Sequence, residues 1–361
     1  MRKRRYFEAG NGELRSETCL TIRGARVTLP QEELMRVLSG IQSNGKLHLG
    51  NYLGAMKQHI ELQHEHECFF FIANYHSLTT VQDPDLLREY TRDVALDYLA
   101  MGLDPKKVCL FRQTDVPEVT ELAWILSTVT GKGLMERATS YKDKVAKGLT
   151  PSMGLFTYPI LMAADILIYR SDWVPVGKDQ VQHIEMAQDM AGYFNQTFGR
   201  EVLKRPEPRL NEALIVPGID GQKMSKSYGN TINLFDPPEE TRKRIMSIKT
   251  DSTPVEAPKN PALCNVFAIY QLMARPEEVT TLAERYRRGG MGYGEAKKLL
   301  AEVVERLLAP ARERRQKLID HPDEVENVLV TSARKARAVA QQVMAEVRDA
   351  CGLLTASVAA L

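Results

Sequence analysis

Three apolar runs, at 36–41, 68–73 and 108–111, constrain the fold of this chain more than any other feature. They read as strands buried on both faces of a parallel sheet. Helical patterns separate them, at 53–63 and 85–101. The second follows Asp83-Pro84 and stops at Gly102, a start and a stop signal. Strand alternating with helix predicts βαβ units and a doubly wound α/β domain, with ligands at the carboxyl ends of the strands. Further helices are expected at 118–130 after Pro117, at 163–170, and at 178–198 after Val174-Pro175-Val176-Gly177.

Beyond about residue 214 the texture changes. Segments 238–246, 265–273, 276–286, 293–308 and 333–351 have helical spacing, and strand signals vanish. The chain of 361 residues has room for two domains, or for one domain with an insertion. Its 43% hydrophobic content suffices for a sizeable core. The expected division is an extension at 1–34, an α/β domain at 35–217, a helical domain at 218–320 and a C-terminal helix at 321–361 packing back on the α/β domain.

A formal charge of +2 announces no polyanionic partner. Basic clusters at Arg242-Lys243-Arg244, at Arg285 with Arg287-Arg288, and at 312–317 read by themselves as solvated helix faces. The five cysteines are scattered, without a Cys-x-x-Cys, which argues against a zinc site or a disulfide framework and fits a reducing cytoplasm. No apolar stretch approaches a membrane span, and no apolar signal region follows the basic residues 2–5.

Two short segments carry the chemistry. Gly45-Lys46-Leu47-His48-Leu49-Gly50-Asn51 lies between the first strand and a helix, where free backbone N–H groups and the helix dipole favour phosphate. Gly45 and Gly50 would let the backbone approach a nucleotide closely; His48 can donate to phosphate oxygens, and Asn51 can reach a phosphate or ribose. Far downstream, Lys223-Met224-Ser225-Lys226-Ser227 places two point charges suited to a pentavalent phosphate and a departing pyrophosphate. Alone, the first reads as an ordinary strand-to-helix turn and the second as a solvated basic turn. Their occurrence together, in this order, makes the signal.

The pair resembles the ATP-handling signatures of class I aminoacyl-tRNA synthetases. Three segments narrow the resemblance to the tryptophanyl-tRNA synthetases of bacterial type: Ser39 to Ala55, Tyr158-Pro159-Ile160-Leu161-Met162-Ala163-Ala164-Asp165-Ile166-Leu167, and Val174 to Gln180 with His183 and Glu185 behind it. The similarity runs from about Val37 to Leu353. It implies a Rossmann-like catalytic domain with an all-helical C-terminal domain that contacts tRNA and its anticodon. It also implies activation of L-tryptophan by ATP and transfer to the 2′-hydroxyl of tRNA(Trp), in a homodimeric enzyme. His48, Lys144, Lys223 and Lys226 would be catalytic. ATP would meet Gln42, Ser43, Asn44, Gly50, Asn51, Gly177, Lys178, Asp179, Val216 and residues Lys223, Met224, Ser225, Lys226 and Ser227, with Asp179 on the ribose. Mg²⁺ would arrive with ATP, and no metal site of the protein's own is implied. Tryptophan would meet Gln42, His76, Tyr158, Met162, Asp165, Val174, Val176 and Gln180.

The nearest competitor is the tyrosyl enzyme. Its archaeal and eukaryotic forms carry Gln four residues after the matching Tyr, to grip the phenol; here Met162 stands, a flexible apolar side chain suited to an indole. Asp165 offers an acceptor for the indole N–H. Two other classes compete: a duplicated synthetase turned to a regulatory or partner-binding role, and an adenylate-forming enzyme such as a pantothenate synthetase. Intact His48, Lys223, Lys226 and Asp165 weigh against the first, and the helical C-terminal half against the second. The chain departs from the family at Ser43, where Pro is usual, and in residues 1–34, since members commonly begin near Met35. Those residues read either as an extension contacting RNA or protein through residues 2–5, or, preferred, as upstream sequence included by a misassigned start.

Overall fold

The apolar run at 36–41 becomes β3 (Arg36–Ile41), the central strand of a five-stranded parallel sheet. This is a computed structural model. It describes residues 19–22, 25–28, 34–138, 148, 152–210 and 215–353, without the side chains of 19–22, 25–28 and Asp179. Lys144 lies outside the described residues.

The chain divides at Leu34/Met35 into two units. In the first, β1 (Cys19–Ile22) pairs antiparallel with β2 (Ala25–Thr28). In the second, β3 is joined by β4 (Glu67–Ile72), β5 (Val108–Arg112), β6 (Trp173–Val176) and β7 (Glu207–Leu210), in the order β5-β4-β3-β6-β7. The chain builds outward from β3 to β5, then returns to lay β6 on the other side of β3. That reversal makes a switch point between β3 and β6, where open α/β sheets leave a crevice.

The described helices of this unit are α1 (Leu49–Asn51), α2 (Lys57–Leu62), α3 (Asn74–Ser77), α4 (Pro84–Met101), α5 (Glu118–Val129), α6 (Lys132–Glu136), α7 (Met153–Leu167) and α8 (Val181–Phe198). There follow α9 (Pro238–Met246), α10 (Asn265–Tyr270), α11 (Pro276–Arg288), α12 (Tyr293–Asp320) and α13 (Pro322–Ala350). A π-helical segment, Tyr52–Met56, joins α1 to α2.

Alternation along the strands explains why both faces are covered. Cys68, Phe70 and Ile72 of β4 enter one core, shared with α4, α9, α10 and α12; Phe69 and Phe71 enter the other, shared with α5, α7, α8 and α13. Ion pairs bind the C-terminal helices to the α/β layers. Arg315 of α12 reaches Asp93 and Asp97 of α4, both at 2.7 Å. Arg337 of α13 reaches Glu118 of α5, and Arg112 at the end of β5 forks onto Glu326 of α13 at 2.9 and 2.6 Å. Burial pushes Asp97 up to about 7, against the pull of Arg315.

Three expectations need correction. The helix expected at 163–170 is the end of α7, which begins at Met153 on the cap of Ser152 and passes through the buried Pro159. The helix at 293–308 continues through Pro310 to Asp320. The helix expected from 333 begins at Pro322. Among the described residues no helix is long and apolar enough to cross a membrane.

Candidate active site

The strand register brings the loops after the strands to one edge. Ile41 lies level with Ile72, and Ile72 with Arg112. Val37 pairs with Trp173 in parallel, and Gly177 directly follows β6. Loop 42–51, α3, Gln113 and Gly177 therefore open onto the same crevice.

The first loop is built around His48. This residue caps α1: its Nδ1 accepts the N–H of Asn51 at 3.3 Å, and its own N–H donates to Asn51 Oδ1 at 3.1 Å. An Nδ1 that accepts leaves the ring proton on Nε2, the tautomer that can donate outward. Burial, then the charge of Lys226, holds His48 down to about 4, so the ring is neutral at pH 7. Gly50 serves this ring. A Cβ there would stand 2.9 Å from His48 Nδ1 and 3.4 Å from Met224 Cβ. Close approach is thus required by the histidine itself, where the sequence suggested the nucleotide. At Gly45 the requirement is conformational, with φ at +121°.

The second loop closes over the first. Leu49 N–H donates to Ile232 O, and Leu234 N–H to Leu47 O, at 2.9 and 3.0 Å. Lys226 Nζ donates to Asn44 Oδ1 and Gly45 O, both at 2.9 Å. Burial lowers this ammonium to about 8. Asn230 ties the loop internally, its Oδ1 accepting from Ser225 N–H and its Nδ2 donating to Asp220 and Lys223 O. The hydroxyls of Ser225 and Ser227 bond each other at 2.9 Å, and Lys223 is exposed.

Four of the expected nucleotide contacts have side chains occupied elsewhere. Val216 and Met224 are buried in the core and joined through their backbones at 2.8 Å. The Ser43 hydroxyl faces inward, onto Ser77 and Thr91. The exposed Gln42 accepts from the Asn44 amide at 3.2 Å. Lys178 is exposed, and Gly177 and Gln180 are half-buried beside it.

The amino-acid side of the crevice centres on Asp165, 1% exposed near the end of α7. His76 Nε2 donates to its Oδ2 at 2.8 Å, and Gln113 Nε2 lies 2.8 and 2.9 Å from its two oxygens. Burial raises this carboxyl; the hydrogen bond from His76, its charge and the Gln113 amide oppose the shift. Gln113 is itself fixed, its Oε1 accepting the Tyr75 N–H at 3.0 Å. The ring of Tyr158 meets His76 edge-on at 6.4 Å, and its OH bonds His183 Nε2 at 3.1 Å. Val174 and Val176 are buried on β6, and Met162 is half-buried on α7. Sequence reasoning missed Gln113. A polar residue directly after an apolar strand was the available signal.

The arrangement pairs a neutral N–H donor and an ammonium with a buried carboxylate that keeps a lone pair to spare. Such a site positions a phosphate ester and a substrate N–H; among the described residues the crevice holds no activated nucleophile. A cavity of about 580 Å³ lies between α4, α12 and α13, with Asn74 of α3 and Arg112 of β5 also in its wall.

The chain is similar to known proteins over most of its length. Residues 30–309 match the family of class I tRNA synthetases (W and Y). A tryptophan--tRNA ligase of Rhodopirellula baltica is 54% identical over 319 residues, 88% of this chain and 100% of the relative. That of Fusobacterium nucleatum is 50% identical, covering 89% of this chain and 99% of its own. The crystal structure of tryptophanyl-tRNA synthetase from Campylobacter jejuni complexed with ADP and tryptophane matches with a TM-score of 0.84 at 48% identity, covering 88% of this chain and 100% of that one.

Proposed function

The chain belongs to the class I tRNA synthetases (W and Y), and on that premise we propose that it activates L-tryptophan with ATP and transfers it to the 2′-hydroxyl of tRNA(Trp). The observation that carries the substrate choice is the Asp165 carboxylate, held by His76 and Gln113 at the carboxyl end of the sheet. A site that hydrogen-bonds its substrate rejects analogues that leave the polar group unpaired, by about 10⁴ to 10⁵. Relatives in two organisms carry the name tryptophan--tRNA ligase, and the Campylobacter jejuni enzyme holds ADP with tryptophane.

In the first step a tryptophan carboxylate oxygen attacks the α-phosphorus in line, and the bond to pyrophosphate breaks. The nucleophile is already ionised, so the protein supplies positioning and charge stabilisation. His48 donates through Nε2–H to a phosphate oxygen. Lys226 exchanges the oxygens of Asn44 and Gly45 for those of the departing pyrophosphate, with Lys223 beside it. Mg²⁺ enters as part of the substrate, bound by phosphates and water. In the second step the tRNA 2′-hydroxyl attacks the carbonyl of the adenylate and AMP leaves. Val174, Val176, Met162 and Tyr158 line the indole pocket; Gln42 and Gln180 hold the amino-acid head group; Gly177, Lys178 and Asp179 meet the adenosine. Lys144 joins the phosphate contacts.

We assign tRNA and anticodon contact to residues 218–320, through basic clusters that include Arg242, Lys243 and Arg244. Polyanion recognition gives these charges a purpose. The working enzyme is a cytoplasmic homodimer. The test is tryptophan-dependent ATP–pyrophosphate exchange followed by tRNA(Trp) charging. Both are expected. Exchange without charging would favour a synthetase retired into another role.

A further inference from the structure

Beneath the nucleotide loop lie three hydroxyls that the reaction does not use. Ser43, Ser77 and Thr91 are 0%, 1% and 8% exposed, and they come from the loop after β3, from α3 and from α4. Thr91 Oγ1 donates to Ser43 Oγ at 3.2 Å. Ser43 Oγ lies 3.1 Å from Ser77 Oγ, and Ser43 N–H donates to that oxygen at 3.0 Å. Ser77 Oγ donates to Ala73 O at 3.1 Å. The protons run one way along this chain, from Thr91 through Ser43 and Ser77 to the carbonyl at the end of β4. Every hydroxyl donates once, and Ser77 Oγ takes two donors. Within it, Ser77 stands one residue from His76, which holds Asp165, and Ser43 one residue from Asn44, which accepts from Lys226.

We propose that Ser77, with Ser43 and Thr91, is a positioning residue that fixes the nucleotide loop to the turn bearing His76, so that the ATP and amino-acid subsites keep a set spacing. This rests on reading loop 42–51 as the ATP site. The physical argument is the cost of orphaned donors. Leu47 and Leu49 seat the far end of the loop in the core, whereas at its start the Gln42 contact with Asn44 is exposed, so the buried hydroxyls supply the inner anchor there. Without Ser77 Oγ, the Ser43 N–H and O–H have no acceptor there, in a space closed to water. The loop then relieves them by moving outward, carrying Asn44 and Gly45 with it.

The decisive test is a pair of variants in tryptophan-dependent ATP–pyrophosphate exchange. Ser77→Ala should lower kcat/KM for ATP by about 5- to 100-fold, the range for burying an unpaired donor. Ser43→Pro in that background should restore most of the loss, because proline has no N–H to satisfy. Ser43→Ala in the same background keeps the N–H and should restore none of it. Ser77→Thr retains the oxygen and guards against a variant that merely misfolds: it should remain within about 5-fold of the parent, less than the loss from one unpaired donor. His48→Ala, run alongside, separates the two claims, since normal exchange in that variant would overturn the ATP reading itself. With the His48 result as expected, an unchanged kcat/KM for ATP in Ser77→Ala would overturn the proposal. So would a loss that Ser43→Pro and Ser43→Ala relieve equally.

Discussion

Replacing Gly50 by alanine separates catalysis from stability at one position. Gly50 sits in α1, outside the left-handed region, so the backbone accepts a side chain. Within a helix the exchange gains roughly 0.5–1 kcal/mol. The new Cβ, however, would lie 2.9 Å from His48 Nδ1 and 3.0 Å from Cε1. The ring must retreat by a few tenths of an ångström, and the cap bond it accepts from Asn51 is already 3.3 Å long. Losing that cap costs about 1 kcal/mol, which offsets the helix gain. Folding stability should therefore change by less than about 1 kcal/mol. Catalysis has no such compensation, because Nε2 is displaced and its tautomer is no longer fixed. A misplacement of about 1 Å costs on the order of 10²-fold, so the smaller shift here should lower kcat for pyrophosphate exchange by about 10-fold or more. Gly54→Ala is the control, since nothing lies within 4 Å of its Cβ. A Gly50→Ala enzyme with kcat within about twofold of the parent would refute the argument that His48 acts from its observed position.

Three other perturbations follow from the same site. Lys226 has its pKa lowered from 10.5 to about 8, so its charge is present below that pH and lost above it; kcat/KM for ATP should fall as pH rises through about 8, and Lys226→Arg should remove that limb because guanidinium stays charged. Gln113→Met takes two close contacts from Asp165 and pushes its carboxyl further up; kcat/KM for tryptophan should fall by about 10- to 100-fold while KM for ATP changes little, as hydrogen bonds to charged groups contribute about 1.5–3 kcal/mol. Burial holds His59 at about 4, against 6.5 for an unconfined imidazole. The unfolded chain takes that proton first, so the urea midpoint should drop as pH falls from 6.5 towards 4, and His59→Gln should flatten the drop.

The sequence made β3, β4 and β5 legible because most of their residues are buried on both faces of the sheet and are apolar in short runs. It concealed β6 and β7 for the opposite reason. Trp173–Val176 is four residues with a proline inside, and Glu207–Leu210 is an edge strand with exposed ends that carries charge and a proline. Pro159 and Pro310 likewise hid the true lengths of α7 and α12, since tertiary packing holds a helix together where local rules would end it. His48 and the Lys223 to Ser227 segment could be found from local pattern. Their contact could not, because 182 positions separate Lys226 from Asn44. Gln113 and Ser77 escaped notice because each is a single polar residue at the end of a strand or short helix. Only the register of neighbouring strands gives them partners.

The central claim is that Asp165 selects tryptophan. The direct test compares pyrophosphate exchange driven by tryptophan and by tyrosine in the parent enzyme and in Asp165→Ala. The account predicts exchange with tryptophan alone in the parent. In the variant it predicts a loss of about 100-fold or more in kcat/KM for tryptophan, with KM for ATP nearly unchanged. Exchange driven by tyrosine, or an Asp165→Ala enzyme that uses tryptophan as well as the parent does, would contradict it.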